Sequence, residues 1–149
     1  MSSLRMLPVS GAILAALAFA APAIASGRSA VRVLNAWTRP AAKGMNAAGY
    51  LTVVNDGARS DALVGASSPV ARSVSLHQSA MKGMVMTMRP LADIPIPAHG
   101  RAILAPGGDH LMIEGLVRSL TAGDTVPVKL VFRRSPAERV ELKVGSGPP

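Results

Sequence analysis

The chain has no cysteine, and among its 149 residues only Phe19, Trp37, Tyr50 and Phe132 are aromatic. Without thiols there can be no disulfide, so stability rests on burial and any metal must be held by other donors. Lipid attachment through an N-terminal cysteine is excluded, and so is a blue-copper electron carrier, which needs a thiolate. The shortage of aromatics removes the stacking platform that a single-stranded nucleic acid would use, and the positive side chains are scattered rather than clustered, so no nucleic-acid partner is expected. Acidic residues are also few, 8 against 16 Lys and Arg, for a net charge of +8. That surplus suits solubility, an anionic surface or an acidic protein partner. No serine or carboxylate lies in a recognisable nucleophile motif, and a zinc site would want three nitrogen or oxygen donors, so an enzyme is not expected.

The N-terminus is the one long apolar run. Met1 to Arg5 carries a single basic residue, Met6 to Ala20 is a mostly apolar run, and Ala23-Ile24-Ala25 has the small-x-small pattern of a signal-peptidase site. Residues 1–25 therefore read as a signal peptide and 26–149 as one exported, periplasmic β domain. The apolar run is shorter than the roughly 20 residues of a spanning helix, so stable membrane insertion after cleavage is not expected. A monomer is.

Beyond the leader the pattern has a period of two. Strands are expected at Ala30 to Trp37, Gly49 to Asn55, Ala62 to Ser67, Arg72 to Gln78, Met84 to Pro90, Arg101 to Leu104, His110 to Leu116, Val126 to Arg133 and Arg139 to Val144. Turn signals separate them: Asn55-Asp56-Gly57, Ser68-Pro69, Met81-Lys82-Gly83, Pro106-Gly107-Gly108 and Ser135-Pro136. Ile94-Pro95-Ile96-Pro97 reads as extended but outside a sheet, because proline lacks the ladder donor. About eight or nine short strands without helices make an all-β antiparallel sandwich or barrel.

The stretch Leu76 to Met112 holds all three histidines and five of the eight methionines. Alternation puts His77 opposite in direction to Val74 and Leu76, and His110 and Met112 opposite to Leu111 and Ile113. Methionines serving only as core filler should have joined the aliphatic side. Thioether sulfur and imidazole nitrogen are the donors a soft Cu(I) ion prefers, and His77, Met88, His110 and Met112 are the candidate ligands. His77 and Met88 meet only if a hairpin pairs their strands. Met84, Met86 and Met88 are expected on one face of the return strand, with Met81, Met84 and Met86 as auxiliary copper contacts or simply buried filler. His99 reads as an exposed turn residue.

The spacing His77, ten residues, Met88, twenty-one residues, His110, one residue, Met112 resembles the copper-binding signature of the periplasmic copper chaperones of the PCu(A)C family. The surroundings are similar as well: Ala47 to Thr52, Leu63 to Pro69, Met86 to Pro90, and Pro106 to Met112. The resemblance implies a cupredoxin-like Greek-key barrel and a Cu(I) site made by those four residues. It further implies delivery to cytochrome c oxidase, at the CuA centre of its copper-binding subunit, with another copper chaperone as an alternative partner. Two departures stand out: Gln78 takes the place of a glutamate that often follows the first histidine, and the tail Ser146 to Pro149 lacks the histidines and methionines that give some members a Cu(II) site. The alternative function is a non-metal exported β-sandwich module that docks an acidic partner, and a copper enzyme is a third reading.

Overall fold

The computed structural model describes residues 29–149. The expected signal peptide, residues 1–25, lies outside the described residues. Ten strands make up the domain: β1 (Val31–Thr38), β2 (Ala47–Asn55), β3 (Asp61–Ser67), β4 (Ala71–Lys82), β5 (Val85–Leu91), β6 (Ile94–Ile96), β7 (Arg101–Leu104), β8 (Asp109–Leu116), β9 (Thr125–Phe132) and β10 (Glu138–Val144). No helix occurs among the described residues.

The strands follow one another in the order β5-β4-β8-β2-β1-β10-β9-β3-β6, and a pairing of β3 with β4 at Ala66 and Val74 closes the ring. The result is a closed β-barrel of cupredoxin-like type. Strand β5 lies outside that ring, hydrogen-bonded to β4, while β7 lies against β2. One pairing departs from the antiparallel expectation: β1 runs parallel to β10, with Trp37 opposite Lys143 and Thr38 opposite Val144, so the barrel is mixed.

Aliphatic side chains fill the interior, as the two-residue period demands. In β9, Val126, Val128, Leu130 and Phe132 point inward, and Leu51, Leu63, Leu111, Ile113 and Leu142 meet them from the other walls. At Gly49 a β-carbon would lie 2.9 Å from Leu142 Cδ1, so the missing side chain lets β2 press against the core directly beside β8.

Two local expectations need correcting. Ile94 to Ile96 is a strand after all, the edge partner of β3, with both isoleucines buried and Pro95 facing out. An edge is where a proline's missing donor is tolerated, and burial of the two flanking isoleucines favours docking there. The hairpin turn is also shifted by one to two residues. Strand β4 continues to Lys82, which pairs with Val85, and the two-residue turn is Gly83-Met84. Gly83 adopts a φ of 64° there, which suits a primed hairpin turn with glycine at its first central position. Met81 consequently belongs to a strand, and Met84 sits in the turn rather than on the face of Met86 and Met88.

Candidate metal centre

Three adjacent strands, β5, β4 and β8, bring the predicted residues onto one surface. Directly across the β4–β8 ladder, His77 faces His110 and Ser75 faces Met112; across the β4–β5 ladder, Ser79 faces Met88. Residues two apart on a strand share a face, so His77 has His110 beside it, with Met112 and Met88 on its two diagonals. Direct neighbours on a face are about 5 Å apart at Cβ and diagonal ones about 7 Å, a span that imidazole and thioether side chains can close. The two imidazole rings lie with centroids 6.0 Å apart. An ion about 2.0 Å from a ring nitrogen stands roughly 3.2 Å from that ring's centroid, so two rings on one ion can be separated by up to about 6.4 Å. The observed spacing fits within that limit.

The surroundings of His110 select one tautomer of its neutral ring. His110 is 2% exposed, enclosed by the Tyr50 ring at 6.5 Å in an edge-on arrangement and by His77. Tyr50 in turn packs on Trp37 at 4.8 Å; both are buried, yet stand apart from the aliphatic core cluster. Nδ1 of His110 lies 3.1 Å from the Gly108 carbonyl, and since a carbonyl only accepts, Nδ1 carries the proton and Nε2 keeps its lone pair. That Nε2 is buried without a partner, and so is Nδ1 of His77. A buried polar atom left unsatisfied costs about 1–3 kcal/mol, so two of them on facing rings mark a place built for something else.

Among the described residues, no group of three or more His, Cys, Asp or Glu side chains is arranged to hold a metal. The donors that the register brings onto this face are two imidazoles and two thioethers, a set suited to a soft ion and poorly suited to the oxygen-seeking Mg²⁺ or Ca²⁺. Glu114, two residues beyond Met112, is engaged elsewhere: its Oε2 accepts hydrogen bonds from the hydroxyls of Ser73 at 3.0 Å and Ser75 at 3.4 Å.

The reverse of this surface explains how the three strands are kept in register. Val74, Leu76, Leu111 and Ile113 face the barrel interior, and just beyond them a string of side chains crosses all three strands. Arg89 donates from Nε and Nη2 to Gln78 Oε1 at 3.0 and 2.7 Å, and Gln78 Nε2 donates to Asp109 Oδ1 at 3.0 Å. Each member adjoins one of the predicted ligands: Arg89 follows Met88, Gln78 follows His77, and Asp109 precedes His110. The amide at Gln78 accepts from a cation and donates to an anion at once, which an ionised carboxylate in its place could not do. On the ligand side, the Gly108 carbonyl accepts from the Ser79 amide at 3.0 Å as well as lying against His110 Nδ1. Sequence reasoning noted Gln78 only as a departure, and missed Arg89, Asp109, Gly108 and Tyr50. Arg89 and Asp109 adjoin Met88 and His110 in sequence, a signal that becomes informative only with the pairing register, whereas Tyr50 has no histidine or methionine beside it.

Exposure separates the methionines from core filler. Met81 is 61% exposed, Met84 97%, Met86 54% and Met88 54%, so burial does not explain them. His99 is exposed in a turn with φ 51°, far from this face in the sheet, as expected.

A closed, mixed β-barrel of this kind is the cupredoxin-like fold of PCuAC domains. Superposition on the copper-bound PCuAC domain from PmoF2 gives a TM-score of 0.67 at 26% identity, covering 78% of this chain and 93% of that one. The CuI form of DR1885 from Deinococcus radiodurans matches with a TM-score of 0.54 at 33% identity, over 80% of this chain and 82% of that one. In sequence, "Putative lipoprotein Lxx21020" of Leifsonia xyli subsp. xyli (strain CTCB07) is 37% identical over 115 residues, which is 76% of this chain and 69% of the relative. The family model "Putative lipoprotein LpqE-like" matches residues 31–144, and the chain belongs to this LpqE-like family.

Proposed function

We propose that the protein is an exported copper chaperone that holds Cu(I) through His77, Met88, His110 and Met112. The observation that carries this reading is the pair of buried, unpartnered imidazole nitrogens on rings 6.0 Å apart, on the same face as two thioethers. A non-metal docking module would have no use for them. The likeness to a copper-bound domain and to a CuI form supports the same ion. In the proposed location, the periplasm, methionine suits a carrier because a thioether needs no deprotonation and forms no disulfide. The likeness to a putative lipoprotein agrees with export.

The gradient of exposure gives the release step an order. Met88 is 54% exposed and His110 is 2% exposed, so an acceptor docking on this face displaces Met88 first and His110 last. The acceptor is the copper-binding subunit of cytochrome c oxidase, at its CuA centre, or a second copper chaperone, with Met81, Met84 and Met86 as auxiliary contacts on the docking side. The transfer is ligand exchange, and the protein performs no catalysis. Competition of the purified protein with a coloured Cu(I) chelator tests the binding: the protein should withdraw copper from the chelator, and His110→Ala or Met88→Leu should lose that ability while remaining folded. A chelator that keeps its copper in the presence of the wild-type protein would falsify the reading. Copper X-ray absorption should show nitrogen and sulfur neighbours together.

A further inference from the structure

We propose that Met81 and Met86 form a second, weaker station for a soft monovalent cation, outboard of the four-residue site and in line with it. The inference rests on the reading of that inner site as a Cu(I) site.

The pairing register places the station. Ladder contacts between β4 and β8 end at Gln78 and Asp109, and beyond them β4 pairs with β5 alone. After a last bond from the Ser79 amide to the Gly108 carbonyl, the hairpin from Ala80 to Thr87 leaves the barrel as a two-stranded ribbon. On the ribbon face that carries His77, the next rungs are Ser79 with Met88 and then Met81 with Met86. Met81 and Met86 are direct cross-strand partners, about 5 Å apart at Cβ, and Met88 lies diagonal to Met81 and two residues from Met86. Three thioethers therefore continue the line that begins at His110 and His77.

Packing does not account for this pair. Their exposures of 61% and 54% rule out a packing role, and Lys82, on the opposite face of the ribbon, leaves the thioether side free of charge. Two thioethers can hold a d¹⁰ ion such as Cu(I) or Ag(I), which imposes no fixed geometry and accepts few donors. Lacking an imidazole, the outer pair binds less tightly than the inner four. An ion captured on the ribbon then passes inward by exchanging one sulfur at a time, with Met88 shared between the two stations, and leaves by the same route.

Ag(I) titration of the whole protein, followed by calorimetry and by the methyl resonances of methionine, tests the proposal. Two binding events are expected, the weaker one shifting the Met81 and Met86 methyl signals. The double variant Met81→Leu/Met86→Leu, close in volume and made at exposed positions, should lose the weaker event and keep the tighter one. His110→Ala should weaken the tighter event and keep the shifts at Met81 and Met86. A single event in the wild type, with no shift at those two methyls, would sink the outer station while leaving the inner site standing; persistence of the weaker event in the double variant would also sink it, by placing that event on other thioethers such as the exposed Met84 or Met45. Absence of any tight event in the wild type would remove the inner site and this inference with it.

Discussion

In β9, Val126, Val128, Leu130 and Phe132 are between 0% and 6% exposed and alternate with outward-facing residues. In β5, Met86 and Met88 alternate just as regularly with Val85 and Thr87, yet both methionines are 54% exposed. The difference lies in the neighbours. β9 is flanked by β10 and β3 and roofs the barrel interior, whereas β5 has only β4 beside it and extends past the end of β8. The same written period therefore marks a buried wall in one place and a presented row of donors in the other. Buried polar groups divide in the same way. Asp61, close to β9 at the far end of the sheet order, has its Oδ1 bonded by the Ala62 and Arg134 amides and its Oδ2 by the Ser135 amide and hydroxyl. The imidazoles of His77 and His110 each keep one buried nitrogen unbonded. The satisfied carboxylate of Asp61 serves the fold, and the unsatisfied imidazole pair is what the proposed copper site rests on.

Four substitutions would break or sharpen this contrast. Leu130→Ala, which empties a fully buried position, should cost about 2–5 kcal/mol in chemical denaturation while copper bound per folded molecule stays constant. Asp61→Asn should cost about 1–3 kcal/mol near neutral pH, because the replacement leaves amide donors short of acceptors. Burial pushes the Asp61 carboxyl up, but the Ser135 hydroxyl and the Ala62, Arg134 and Ser135 amides together outweigh it and hold the group below its ordinary value. A depressed carboxylate stabilises the fold at pH above its unfolded value, about 3.9, and that contribution fades as the pH falls through the lower folded value. The stability gap between wild type and Asp61→Asn should thus be widest at pH 5 to 7, about the neutral value, and narrow toward about pH 3; a gap of constant size would contradict the assignment.

Gln78→Ala cuts the string from Arg89 to Asp109 behind the three strands that carry the proposed ligands. Groups bonded directly to metal ligands are worth about 10–100-fold in affinity, and this string acts at one remove, so a loss of roughly threefold to tenfold in Cu(I) competition is expected, with little change in denaturation. Met86→Leu should move stability by no more than about 0.5 kcal/mol, as for other exposed positions, and a loss as large as that of Leu130→Ala would show that β5 is core after all.

Much of the barrel was legible from alternation: β9 and β10 follow Val126 to Arg133 and Arg139 to Val144 within a residue, and the aliphatic faces of β4 and β8 are those expected. What failed did so for local reasons. Ile94-Pro95-Ile96 was kept out of the sheet by its proline, although an edge place beside β3 asks nothing of that residue's missing donor. Met81 was given to the turn because Gly83 alone does not say whether it opens or closes a two-residue loop; its positive φ settles the register. Of the site, residue types and spacing indicated His77, Met88, His110 and Met112, but the supports Arg89, Asp109, Gly108 and Tyr50 carried no chemistry of their own to draw notice.

The amino-acid sequence alone determined which donors this protein has: thioethers and imidazoles without a single thiol, on strand faces opposite the aliphatic ones, because side-chain direction follows a two-residue period whatever the fold. It could not determine which of them meet. That was decided by the pairing of β5, β4 and β8, since residues tens of positions apart become neighbours only through ladder register, and a shift of one residue would have turned every donor into the barrel.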